Sequence, residues 1–206
     1  RVLLDTLCQV ELWRRDLGEG PFSGRYMKRC ALAVDWLASM TDEISGDLPN
    51  MGANDGARLY NLSTSPYWDF RPTIQLSSVL FKNHRVYDAG PWDEHLHWFV
   101  ITPSDFPKAS APSSVLHPDG GDVVLRSNDL RAVVRFTNFK FRPGHADCLH
   151  VDLWYKGQNL LRDGGTYSYN TDDQTMDYFS GTASHNTVQF DGRDQMPRIS
   201  RFLFGN

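Results

Sequence analysis

Arg142-Pro143-Gly144-His145-Ala146-Asp147, then Arg162-Asp163-Gly164-Gly165-Thr166-Tyr167-Ser168-Tyr169-Asn170, then Gly181-Thr182-Ala183-Ser184-His185-Asn186-Thr187-Val188: these three turn-rich pieces lie in one stretch, Arg142 to Gln195. Strand-like runs separate them. Leu149 to Tyr155 alternates, with Leu149, Val151, Leu153 and Tyr155 on one face and His150, Asp152 and Trp154 on the other. Gly157-Gln158 turns this run into Asn159-Leu160-Leu161-Arg162. Thr187 to Phe190 predicts a further strand, closed by Asp191-Gly192. Upstream, Val123 to Arg126, a turn at Ser127-Asn128-Asp129, and Leu130 to Phe136 predict a hairpin. Short strands at regular spacing predict an antiparallel sandwich or barrel.

The first half has a different texture. Leu3, Leu4, Leu7, Val10, Leu12 and Trp13 are spaced for one broad apolar helix face over residues 2–15. Gly18-Glu19-Gly20-Pro21 breaks that helix, and Ser23 is placed to cap a second one carrying Tyr26, Met27, Cys30, Val34, Trp36, Leu37 and Met40. Asp69-Phe70-Arg71-Pro72 reads as a third start, with Asp69 as cap and proline in the first turn. His84 suits the negative end of that helix. His95 and His97 flank Leu96 as a His-x-His pair on a strand, a lesser candidate for metal. Residues 102–114, rich in proline, serine and alanine, read as the junction. The expected organisation is α+β, with residues 1–100 helical and residues 101–206 an antiparallel β-sandwich.

Composition narrows the function classes. The chain has 206 residues and a net charge of -4, which gives no general attraction to nucleic acid or an anionic membrane. No apolar run reaches the roughly 18 residues of a membrane helix. Cys8, Cys30 and Cys148 make neither a disulfide framework nor a zinc knuckle. The opening Arg1-Val2-Leu3-Leu4 already lies inside a helical pattern, and Phe202-Leu203-Phe204 reads as an unfinished strand, so a fragment of a longer protein is expected.

The chemistry concentrates in His145, Asp163 and His185, which are 18 and 22 residues apart, each beside small or turn residues. Two imidazoles and one carboxylate suit Zn2+, with water or substrate in a fourth position. A competing set takes His145 with Asp147 and a distal His185, the facial triad of a non-haem iron oxygenase. The loop Pro49 to Arg58 lacks a P-loop lysine. It is either a plain connection or a cleft lining in which Asn54, Asp55 and Arg58 reach ligand.

Together, Arg142 to Asp147, Leu161 to Thr166 and Thr182 to Val188 resemble the heparinase II/III family of polysaccharide lyases. Pro49 to Gly56 and Asp69 to Pro72 are similar to late helical segments of that family. The resemblance implies the end of an (α/α) toroid followed by an antiparallel β-sandwich, and a metal site, usually zinc, at His145, Asp163 and His185. It implies a lyase that cleaves a uronate-containing polysaccharide, such as heparan sulfate or alginate, by β-elimination, in the bacterial periplasm or secreted. Tyr169 is the expected catalytic proton donor, with Tyr167 and Tyr178 as rivals. Asn54, Asp55, Arg58 and Arg142 are the expected substrate contacts. The chain departs from the family at Pro143, where many members have a histidine two residues before the first metal histidine. The catalytic base is therefore expected upstream of Arg1. The rival expectation is a non-catalytic glycan-binding module with a structural zinc.

Overall fold

The computed structural model describes residues 1–52, 54, 56–136 and 143–205. The chain divides into two compact units, one formed by Arg1–Leu48 and Ala57–Pro112, the other by Pro49–Gly56 and Ser113–Asn206.

The first unit is helical. Helix α1 (Val2–Asp16) buries Leu4, Asp5, Cys8 and Glu11. The spacing is helical, but the apolar face is narrower than the sequence suggests: Leu3 and Trp13 are exposed. Two of the buried positions are acidic and each has a partner. The Thr73 hydroxyl donates to Asp5 at 2.8 Å. Glu11 accepts from Arg14 and Arg15 one turn on, and the pairing with Arg14 first of all holds its carboxyl below the usual range against the cost of burial.

Helix α2 (Gly24–Met40) begins at Ser23, whose hydroxyl accepts from the Tyr26 N–H as an N-cap should. Helix α3 (Arg71–Lys82) is buried along almost its whole length and carries Pro72 in its first turn. Its cap differs from expectation: Phe70 holds the cap position, while the Asp69 carboxylate accepts from the Arg71 N–H and pairs with the Arg71 guanidinium. The helix stops at Asn83 in the left-handed region, φ 56°, so His84 lies beyond its end. There burial, and then Lys82, hold the imidazole below its ordinary pKa.

Gln75 of α3 ties down the next segment. Its Oε1 accepts from the Val86 and Tyr87 N–H groups, and its Nε2 donates to Asp93. A 3-10 turn (Pro91–Asp93) then opens α4 (Glu94–Trp98). His95 and His97 are therefore on a helix, not a strand. Pro91 and the acidic Asp93 and Glu94 provide a helix start that overrides the alternation. The core joins Leu4, Cys8, Val34, Leu37, Ile74, Leu76, Leu80 and Leu96. Each such aliphatic side chain contributes about 1.5–3 kcal/mol of burial.

The second unit holds a five-stranded antiparallel sheet in the order β1-β2-β3-β4-β5: β1 (Val115–His117), β2 (Asp122–Ser127), β3 (Leu130–Arg135), β4 (His150–Tyr155) and β5 (Gln158–Leu161). Asn128 takes a positive φ between β2 and β3, and Lys156 and Gly157 both do so between β4 and β5, the backbone that tight hairpins need. Register places Val124 opposite Val133, Val133 opposite Asp152, and Arg131 opposite Trp154. The buried face thus includes His150, Asp152 and Trp154, so the face that looks polar in sequence is the inner one. Leu149 lies outside β4 with φ 61°.

Helix α5 (Asp173–Ser180) follows, capped by Asp172 accepting from the Thr175 N–H, and after it come a 3-10 turn (Thr182–Ser184) and the short pair β6 (Arg198–Ser200) and β7 (Leu203–Phe204). The strand expected at Thr187 to Phe190 is not formed; Phe190 makes only an isolated bridge with Arg193. Among the described residues no helix is long and apolar enough to cross a membrane.

Candidate metal centre

Three loops of the second unit carry His145, Asp163 and His185, and backbone bonds fix each. At His145 the neighbouring Ala146 N–H donates to Ser180 O at 2.9 Å, and the Thr182 hydroxyl donates to Ala146 O at 3.0 Å. Asp163 stands two residues after β5. Its Oδ1 accepts from the Gly165 N–H at 2.7 Å, a tight turn that needs the positive φ of Gly165. A side chain at Gly165 would also meet Asn50, because a Cβ there would lie 2.2 Å from the Asn50 amide nitrogen. His185 ends the Thr182–Ser184 turn, with its N–H on Thr182 O at 3.1 Å.

These bonds bring one donor atom from each of the three side chains within 4.8 Å of one another. All three residues are buried, Asp163 completely. His185 Nδ1 lies 3.4 Å from Asp163 Oδ2, and the His145 and His185 rings are 5.5 Å apart. His145 Nδ1, both His185 nitrogens and Asp163 Oδ2 have no hydrogen-bond partner among the described residues. Burial would push the Asp163 carboxyl up, but His185, the Gly165 N–H and His150 outweigh it and hold it below the usual range. Burial holds the His145 imidazole below its ordinary pKa, opposed by Asp147 and Asp163. An ionised carboxylate facing two imidazoles, with orphaned donor atoms in a buried space, has the chemistry of a cation site.

Asp147 lies outside this cluster. Its Oδ2 is 3.3 Å from the Arg135 guanidinium, which accounts for its charge. Cys148 sits in the turn before β4 rather than on the strand, and its backbone pairs with the Gln195 amide.

Other expected site residues fall in different places. Tyr169 lines a small cavity together with Gly144, His145, Thr166, Arg201 and Phe202. Tyr167 stacks on Phe179, and Tyr178 packs edge-on against the same ring; neither lines that cavity. Asn54 is exposed, bonded to Asn50 and to the Gly56 N–H. Arg58 belongs to the helical unit and holds Ser63 Oγ and Ser65 O. Asp55 and Arg142 lie outside the described residues.

Three residues of this region were not singled out from sequence. Thr166 donates to Gly52 O at 3.1 Å and stands 3.4 Å from His145 Nε2, joining the glycine-rich loop to the cluster. Arg201 donates to the carbonyls of Tyr169 and Thr171. His150 is fully buried beside Asp163. Its signal was only its place in the alternation of β4.

Residues 109–206 match the family described as heparinase II/III-like, C-terminal. Among solved structures, the heparan sulfate lyase HepC from Pedobacter heparinus is 18% identical with a TM-score of 0.62, covering 95% of this chain and 29% of that one. A heparinase III with methylated lysines is also 18% identical, with a TM-score of 0.60, covering 84% and 25%. The chain thus spans between a quarter and a third of the length of the solved structures it matches. Among curated proteins no relative was found. The likeness in fold at low identity agrees with the sequence match of residues 109–206 to the heparinase II/III-like C-terminal family.

Proposed function

We propose that this chain is part of a polysaccharide lyase that cleaves a uronate-containing glycan by β-elimination, and that His145, Asp163 and His185 hold Zn2+ in it. The observation that carries the proposal is the orphaned, buried His145–Asp163–His185 cluster beside the cavity that Tyr169 lines. Nitrogen and carboxylate donors with no thiolate suit zinc. When bound, the ion supplies fixed positive charge next to that cavity. Elimination breaks the C5–H and C4–O bonds of the sugar and forms the C4–C5 double bond. The C5 proton goes to a general base. The Tyr169 phenol gives its proton to the leaving oxygen. Positive charge on the uronate carboxylate stabilises the enolate-like state, and Arg201, which lines the same cavity, is suited to supply it.

The helical residues 1–100 are assigned to the end of a toroid and residues 101–206 to a β-sandwich; the two compact units follow this division coarsely, with residues 101–112 in the helical unit and Pro49–Gly56 in the other. A periplasmic or secreted location follows from the lyase reading. The test is ultraviolet absorbance of the unsaturated uronate product, using the full-length protein on a panel of glucuronate-, iduronate- and mannuronate-containing polymers. Product from one class is expected; no product from any class overturns the reading. Complete burial of Asp163 favours a second reading, a structural zinc in a glycan-binding module. That reading predicts glycan binding without turnover.

A further inference from the structure

We infer that His150 is a positioning residue that fixes two of the three candidate ligands at once, through opposite edges of one neutral imidazole. The inference rests on the metal reading of the His145–Asp163–His185 cluster. His150 opens β4 and is fully buried. Its Nδ1 accepts from the backbone N–H of Asn186 at 3.1 Å. An accepting Nδ1 carries no proton, so the ring proton sits on Nε2. That Nε2 lies 3.9 Å from Asp163 Oδ2 and 3.9 Å from Asp152 Oδ2, and has no hydrogen-bond partner among the described residues.

The two carboxylates differ in what else they hold. Asp152 already accepts from the Trp154 indole N–H and from the Asn159 amide. Asp163 Oδ2 has no hydrogen-bond donor among the described residues, while its Oδ1 is taken by Gly165. The His150 N–H is thus placed to steady the free oxygen of the candidate carboxylate ligand. Carboxylates that bind metal are commonly held by such outer partners, whose loss typically costs about 10–100-fold in affinity.

The other edge acts on His185. Asn186 follows it directly, and three bonds hold Asn186: its N–H to His150 Nδ1, its carbonyl to the Val151 N–H at 3.0 Å, and its side chain to Arg162 O at 3.3 Å. Arg162 in turn precedes Asp163. The His150 and His185 rings meet edge to face, 5.5 Å apart at 88°. One ring therefore links the start of β4, the loop after β5 and the turn after α5.

Two isosteric variants separate the edges. In His150→Asn the amide oxygen replaces Nδ1 and keeps the Asn186 bond, but the group facing Asp163 is lost. In His150→Gln the amide N–H replaces Nε2–H and keeps the Asp163 contact, but the acceptor for Asn186 is lost. Zinc affinity is measured by equilibrium dialysis on the full chain, with Co2+ visible spectra as a second readout of ligand geometry. Each variant is expected to lose about 10-fold or more in affinity and to change the Co2+ bands, with metal-free melting temperatures closer to one another than the affinities are. If His150→Asn fails to fold, His150→Gln alone carries the test. Wild-type affinity and Co2+ spectrum in the folded variants would overturn the positioning role while leaving the metal site standing. A wild type that takes up no zinc removes the metal reading, and this inference with it.

Discussion

Both units bury imidazoles with unpartnered nitrogens, and they do so in opposite company. In the helical unit His95 is 2% exposed, and neither of its ring nitrogens has a hydrogen-bond partner among the described residues. Its ring meets the edge of Tyr60 at 5.5 Å, and burial, then Arg58 and Arg1, lower its pKa to about 4. It is a neutral ring used as packing. In the β unit His145, His150 and His185 surround one fully buried carboxylate, which stays ionised. A lone buried histidine loses its proton and becomes apolar filler. Histidines gathered on an anion keep a binding task. The difference lies in the neighbour rather than in the burial.

The strongest way to break this contrast is to remove a histidine from the cluster. His185→Ala takes away a ligand and leaves Asp163 buried with one partner fewer. It should abolish zinc uptake and cost about 3–5 kcal/mol, read as a fall in melting temperature and in dialysis. An unchanged melting curve would make the β-unit histidines packing like His95.

Acid titration sharpens the helical side. The pKa of His95 is depressed on folding, so the unfolded chain binds the extra proton first. The stabilising effect of its neutral form is complete above about 6.5 and is lost as pH falls toward about 4. The span is on the order of 3 kcal/mol. His95→Phe should flatten that limb of the stability curve without touching zinc uptake. An equally steep acid limb in the variant would assign the limb to other groups.

A smaller structural effect, with a larger functional one, is expected at Tyr169. In the full-length protein Tyr169→Phe should lower product formation by about 10²–10⁴-fold and leave the melting temperature nearly unchanged. Tyr178→Phe, whose ring packs on Phe179 away from the cavity, should leave both unchanged. Equal losses in the two variants would remove Tyr169 from the proposed chemistry.

Much of the fold was legible because its signals are local. Ser23 caps α2 through its own hydroxyl, and the alternation from Leu149 to Tyr155 gives the two faces of β4. Signals that need the third dimension were misread or missed. His95-Leu96-His97-Trp98 alternates like a strand, yet a helix start at Pro91 to Glu94 wins. Thr187 to Phe190 has strand propensity but pairs with no strand among the described residues, and the chain there is held instead by Gln195. Asp172 and Gly181 bracket α5 with ordinary helix signals that the surrounding turns obscured.

At the candidate site, the glycines beside His145 and Asp163 marked tight turns, and turns are local. His150 was hidden because alternation tells the two faces of a strand apart without saying which is inside. Only the sheet register, with His150 opposite Arg135 and Asp152 opposite Val133, puts the polar face inward beside Asp163. Thr166 was hidden for a similar reason, since its partner Gly52 lies far away in sequence.

The contrast between packing and binding turns on which carboxylate serves the histidines. Asp163 stands within the cluster, while Asp147 is committed to Arg135. Elemental analysis of zinc in wild type, Asp163→Ala and Asp147→Ala, each dialysed against the same zinc buffer, addresses this directly. One zinc per chain is expected in wild type and in Asp147→Ala, and none in Asp163→Ala. Full zinc occupancy in Asp163→Ala would contradict the assignment of His145, Asp163 and His185 as a metal centre.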